Sequence, residues 1–147
     1  KAKKLIKSRE QQYIDGRLGL VIDGTGKDPN LIERHANKLR SIGYDVGMIF
    51  VNTDLKMAQE RNLQRNRKLP PEMVEQIWND TQQNIMKYQQ IFKADKFFIV
   101  DNSGGLEDPT RSKNFDKVYN NTQKFINAPV GKKATKWIER EKEKLEK

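Results

Sequence analysis

The stretch Arg17–Leu31, RLGLVIDGTGKDPNL, decides how the rest of the chain is read. Its first half, Leu18–Asp23, is a continuous apolar run bounded by Gly16 and a glycine-rich turn, the pattern of a strand buried on both faces. Its second half offers Asp28 as a helix N-cap and Pro29 as the first helical residue, where the missing N–H of proline costs nothing. Between them lies Gly24-Thr25-Gly26-Lys27, which has the look of the end of a phosphate-binding loop.

The register rules that loop out. The pattern G-x-x-x-x-G-K-[ST] would need glycine at Val21 and a hydroxyl residue at Asp28, and no other segment of the chain fits it. A dinucleotide fingerprint fails as well, because the third glycine would fall on Pro29. What remains is a strand ending in Asp-Gly-Thr-Gly-Lys-Asp at the carboxyl end of a sheet, where open α/β folds gather their ligand crevices. Asp23 can accept a hydroxyl proton or a hydrogen bond there, and Thr25 can donate to an oxygen. Gly24 and Gly26 allow close backbone approach. A plain strand-to-helix turn with a capping aspartate satisfies the same spacing, so both readings stay open.

Working outward, Leu5, Ile6, Arg9 and Tyr13 follow Ala2 at helical spacing and predict a helix over 2–14 that stops near Asp15-Gly16. Leu31, Ile32, Ala36 and Leu39 line one side of the helix opened by Pro29, which ends at Gly43. DVGMIFVN, 45–52, reads as a second buried strand, and Asp54 caps a helix running to about Asn66. The basic stretch RNRKLPPE, 65–72, interrupts. Pro71 then opens one long helix with a stripe of Val74, Ile77, Trp78, Thr81, Ile85, Tyr88 and Phe92. Its aromatic members read as core rather than as base-stacking groups. KFFIVDN, 96–102, is a third strand, followed by the loop SGGLEDPT, 103–110, and a helical stretch carrying Phe115, Val118, Tyr119, Phe125 and Ile126.

Apolar strands alternating with helices predict a three-layer α/β/α fold on a parallel sheet with right-handed crossovers. Three visible strands fall short of the usual sheet of about 4–6, so a part of a larger sheet is expected. Residues 1–128 form the expected α/β domain, and 129–147 a charged helical tail exposed to solvent.

The composition narrows the chemistry. A chain of 147 residues suits one domain, and 35% hydrophobic against 33% charged residues makes its core lean. A net charge of +9 favours anionic partners, nucleotide phosphates or nucleic acid among them, although a solvated basic surface would give the same total. The absence of cysteine excludes disulfides, thiolate metal sites and a cysteine nucleophile. His35 is the sole histidine and reads as a surface residue, so no metal site is expected. No apolar run spans a membrane and no signal peptide is seen, so a cytoplasmic setting is expected. The chain begins at Lys1 without methionine, which suggests processing, excision or truncation.

LVIDGTGKD, the helix ending in GYDV, the strand MIFV, then ERN and RKLP ahead of a long helix together resemble the zeta-toxin family of P-loop kinases, from about Arg17 to Asn102. The resemblance implies an ATP-dependent phosphotransferase that uses Mg²⁺. The acidic-Gly-Thr-Gly-basic motif of that family lies beside the phosphoryl acceptor, which assigns substrate binding to Asp23, Thr25 and Lys27. Two later arginines of the family reach the ATP phosphates, and Arg61 and Arg67 match them. Arg65 and Asp101, which ends the third strand, join the expected nucleotide-binding set. The family's phosphate-loop strand lies between the strands matching 18–23 and 46–52. The resemblance therefore makes this chain the acceptor-site and lid portion, inactive without a phosphate-binding loop supplied by a longer protein or another chain, and not expected to hold ATP or Mg²⁺ tightly alone.

The spacing supports the lid independently. Leu55, Ala58, Arg61 and Arg65 follow one another at three or four residues, so an apolar stripe turns cationic as it nears the proline-rich loop. A guanidinium fork suits phosphate oxygens. The same residues would also serve as a solvated basic helix end. The alternative function is a non-catalytic nucleic-acid-binding or scaffolding domain using the positive charge. The absence of interleaved aromatic and basic residues of an RNA-binding sheet argues against it.

Overall fold

The computed structural model of the chain describes residues 2–105 and 108–146. Leu106 and Glu107 of the expected loop 103–110, and Lys147 at the end of the expected tail, lie outside the described residues. The elements run α1 (Ala2–Asp15), α2 (Pro29–Ser41), β1 (Met48–Asn52), α3 (Leu55–Gln64), α4 (Pro71–Gln83), α5 (Ile85–Phe92), β2 (Phe97–Asp101), α6 (Pro109–Ile126) and α7 (Lys132–Leu145).

Local chemistry sets the helix boundaries. The Asp28 carboxylate accepts from the Leu31 amide at 3.1 Å, and that of Asp54 accepts from Met57 at 2.7 Å, so each satisfies a donor that the first turn leaves orphaned. Asp108 does the same for Thr110 at the start of α6. Pro29, Pro71 and Pro109 each occupy a first helical position. Gly43, at φ +106°, ends α2 in the left-handed region that suits glycine.

The expected long helix over 71–92 is two helices. Asn84 separates α4 from α5, with its N–H turned to the carbonyl of Thr81 at 3.2 Å. The Thr81 hydroxyl bonds back to the Ile77 carbonyl at 2.7 Å, a contact that bends helices, and the Asn84 side chain is drawn to Gly26 and Lys27. The hydrophobic stripe survives because the turn is short.

β1 and β2 pair in parallel, with Phe50 opposite Ile99 and Asn52 opposite Asp101. The connection between them carries α3, α4 and α5, as a parallel pair requires. Ala36 of α2 and Tyr88 and Phe92 of α5 close a buried cluster with Phe50 and Phe97. The Phe50 ring lies 6.2 Å from that of Tyr88 and 6.3 Å from that of Phe97, within the range of favourable aromatic pairing. Arg40 ties α2 to α5 by donating to the Ile91 carbonyl at 2.9 Å while its guanidinium lies over the Phe92 ring. On the other side of the sheet α6 packs on β2, and Val100 and Val118 are both buried.

The sheet among the described residues has two strands, and this corrects the expectation of three. Leu18–Asp23 forms no ladder. Leu18 and Ile22 are exposed and Val21 is fully so, where burial on both faces was expected. An apolar run becomes a strand only where a neighbouring edge takes up its N–H and C=O groups. β1 spends one edge on β2, and no described segment pairs with residues 18–23. Instead the segment is held at its ends. The Tyr44 hydroxyl donates to the Leu18 carbonyl at 3.0 Å, and that of Tyr88 to the Gly26 carbonyl at 2.7 Å.

Lys132–Leu145 of the charged tail forms α7, and it touches the rest of the chain. Lys133 donates to the Ser41 carbonyl at 2.9 Å, closing the carbonyl end of α2, and Gly43 leaves room for the Ala134 backbone. Arg17, at φ +53°, lays its guanidinium over the Trp137 ring at 5.3 Å and donates to the Ile14 carbonyl.

Candidate functional site at the carboxyl end of the sheet

The glycine loop is built from below. Gly26 sits at φ +65°, and a Cβ there would meet the Phe50 ring, the Thr81 methyl and the Tyr88 hydroxyl at 3.8–3.9 Å. Space is therefore adequate, and the backbone conformation is what favours glycine. Tyr88, with 0% of its surface exposed, donates to the Gly26 carbonyl. Asn84, also buried, donates to the Lys27 carbonyl at 3.0 Å and more weakly to that of Gly26 at 3.4 Å. Burial pushes the Tyr88 phenol above its ordinary value, and the nearby Asp28 carboxylate adds to the effect. Both keep the hydroxyl protonated and donating. The backbone of the loop is thus fixed while Asp23, Thr25 and Lys27 remain exposed to solvent.

The ends of the strands are joined at the same level. The Asn102 amide donates to the Asn52 carbonyl at 2.7 Å, extending the ladder one step past β2. The Trp78 indole donates to the Thr53 carbonyl at 2.6 Å and Gln82 donates to the Asn52 side chain at 2.8 Å. Thr81, whose methyl faces the site of Gly26, 3.8 Å from where a Cβ there would stand, lies between these two on α4. One turn of α4 therefore links the glycine loop to the end of β1.

Asp101 closes the row. The Ser103 hydroxyl, then its backbone amide at 2.9 Å, donates to the carboxylate and holds it below the usual range. The Ser103 hydroxyl in turn accepts from the Asp54 amide at 2.9 Å, so the loops after β1 and β2 share one hydroxyl. Arg111 of α6 donates to Asn102 at 3.0 Å.

The arginines sit on a separate structure. Arg61 is half-buried on α3, which packs against α4, whereas Arg65 and Arg67 are exposed on the loop that follows. That loop is pinned by a residue the sequence did not single out. Asn62, only 5% exposed, donates to the Leu69 carbonyl at 2.8 Å and accepts from the Leu69 amide at 2.9 Å. Among the described residues no hydrogen bond or ion pair joins Arg61, Arg65 or Arg67 to Asp23, Thr25, Lys27 or Asp101. The sequence-predicted residues thus form two groups, the glycine loop with the strand ends and the arginine-bearing α3 with its loop. Tyr88 and Trp78, read as core, also serve as donors to the site's backbone. His35 is exposed, as expected.

A nucleotide with Mg²⁺ finds an incomplete fit in these residues. Among the described residues no three acidic or histidine side chains gather as a metal-holding group. The glycine loop turns the carbonyls of Gly26 and Lys27 toward its own donors and lacks the register of a phosphate cradle.

A parallel α/β unit with a glycine loop on one element and a cationic helix end on another is compatible with a kinase-like, phosphotransferase-type P-loop fold. The zeta toxin family model matches residues 1–127, and the chain belongs to that family. No curated protein and no solved structure matches it.

Proposed function

We propose that this chain is the acceptor-site and lid portion of a zeta-toxin-type phosphotransferase and that it transfers no phosphate without a Walker A loop supplied by another segment or chain. The observation that carries the reading is the glycine loop, whose backbone is immobilised by Tyr88 and Asn84 near Phe50 of β1 while Asp23, Thr25 and Lys27 stay exposed. In the complete site, Asp23 accepts the hydrogen bond of the acceptor hydroxyl, Thr25 donates to an acceptor oxygen, and Lys27 supplies positive charge. Arg61 and Arg67 offer guanidinium forks to phosphate oxygens, with Arg65 and Asp101 completing the nucleotide side. ATP with Mg²⁺ would supply the phosphoryl group.

Two further features support a strand arriving from elsewhere. Ile49 and Val51 are exposed on β1, and Leu18, Val21 and Ile22 are exposed on a segment with no strand partner among the described residues. A strand lying between them would take up the main-chain edges that β1 and this segment leave open among the described residues. Residues 1–128 then form the kinase-like unit in a cytoplasmic setting, and 129–147 an appended helix, in keeping with a family match that stops at residue 127. Among the described residues no helix is long and apolar enough to cross a membrane.

The test is phosphoryl transfer from labelled ATP by the chain combined with the segment bearing the Walker A loop. Arg61→Ala and Arg67→Ala should each lower the rate by roughly 10²-fold or more while circular dichroism stays unchanged. Unchanged rates in both variants would remove the lid assignment.

A further inference from the structure

The second edge of β2 is unpaired among the described residues, and the groove beside it has the makings of a peptide site. In a parallel ladder alternate residues face opposite edges. Met48 donates to the Lys96 carbonyl at 2.8 Å and Asn102 donates to that of Asn52 at 2.7 Å, so the even-numbered residues of β2 face β1. The N–H and C=O groups of Phe97 and Ile99 then point out of the other edge, and among the described residues they have no partner. Main-chain groups at a partly buried edge are costly to leave unpaired.

A groove of about 630 Å³ runs along this edge. It is lined by the turn Ala94 to Lys96 and then by Phe97, Phe98 and Ile99 of β2, and since strand side chains alternate between faces, a cavity touched by all three follows the edge rather than one face. Its opposite wall is one face of α6, from Asn114 to Phe125 at spacings of three and four. The three strand residues Phe97 to Ile99 span roughly 10 Å, and the twelve α6 positions about 17 Å, so an extended segment pairs with β2 over about three residues and runs on past the turn at Ala94–Lys96.

The walls also define what that segment carries. Half-buried Phe98 with Val118 and Phe125 forms an apolar floor on the α6 side of the sheet. Asn114 and Asn121 offer amides able to bond a peptide backbone, and Lys117 and Lys124 are exposed with no ion pair among the described residues. Lys96 is held by Asp45 at 3.0 Å, and Asp95 is the one acidic group of the lining. The free charge along α6 is therefore positive. We infer that the β2–α6 groove binds an extended acidic peptide segment, which adds to β2 as a strand and places its carboxylates against Lys117 and Lys124. The inference stands apart from the phosphotransferase reading, since the glycine loop and the arginines take no part in it.

Fluorescence anisotropy of a labelled hexapeptide of alternating valine and glutamate, added to the intact chain, tests it. Saturable binding is expected, weakened about tenfold or more by the double substitution Lys117→Glu and Lys124→Glu, and lost when alternate peptide nitrogens are methylated. Amide exchange at Phe97 and Ile99 should slow on peptide addition, a readout that needs no variant. Absence of saturable binding, or exchange at these two amides unchanged by the peptide, would overturn the proposal. So would displacement of the peptide by a single-stranded oligonucleotide that binds the same lysines more tightly, which would assign the groove to nucleic acid.

Discussion

Asn62 and Leu69 exchange two hydrogen bonds across the basic loop, the side-chain amide of one standing in for a strand partner of the other. The pair closes residues 63–68 into a loop whose base is fixed and whose arginines are not. Asn62→Ala should cost about 1–3 kcal/mol in urea denaturation, because it leaves both main-chain groups of Leu69 unpaired in a partly buried place. Tryptic cleavage after Arg65 and Arg67 should accelerate more than global unfolding explains. Cleavage at the wild-type rate would show that the loop holds its shape without the clamp.

Tyr88→Phe removes one hydroxyl and almost no volume. The Gly26 carbonyl then keeps only the long contact from Asn84, and stability should fall by about 1–2 kcal/mol. Chemical shifts of Thr25, Gly26 and Lys27 should move while those of Phe92 and Phe97 stay. A change spread evenly over the core would mean that Tyr88 acts by packing alone.

Asp101 links the strand end to pH. Its carboxyl is held below the ordinary value of 3.8 by Ser103, so the folded state favours the charged form. The stabilisation it brings is complete above that value and is lost as pH falls through the lowered folded one. Ser103→Ala should move the Asp101 titration back up toward the ordinary value in a carbon-detected NMR experiment, and the same substitution removes the acceptor of the Asp54 amide. An unmoved titration would remove Ser103 as the cause.

Val21→Asp probes the segment that forms no strand. With Val21 fully exposed, the substitution should change the stability of the chain by no more than about 0.5 kcal/mol in urea denaturation. A loss of several kcal/mol would put residues 18–23 inside a sheet.

These residues also mark how far the sequence could be read. Asp28, Asp54, Pro29 and Pro71 open helices through contacts within one turn, so their positions were legible. The apolar runs of β1 and β2 were equally clear, because each finds its partner in the other. Leu18–Asp23 carries the same pattern without one, and hydrophobicity alone does not say whether an edge is on offer. Asn84 left a faint trace, being a poor helix former inside a helical stripe. Asn62 left none, since its bonds depend on where the chain returns seven residues later. The zeta-toxin resemblance was carried by residues whose backbone positions are local, whereas the donors beneath them, Tyr88 and Asn84, lie far along the chain.

The contact of Arg17 with Trp137 has a kinetic consequence. It joins the turn after α1 to α7 across 120 residues of sequence, so it forms only once the entropy of closing so long a loop has been overcome. Trp137 is thus a natural fluorescent reporter of this long-range closure. Its signal should lag behind that of Trp78, whose indole is engaged within the central part of the fold.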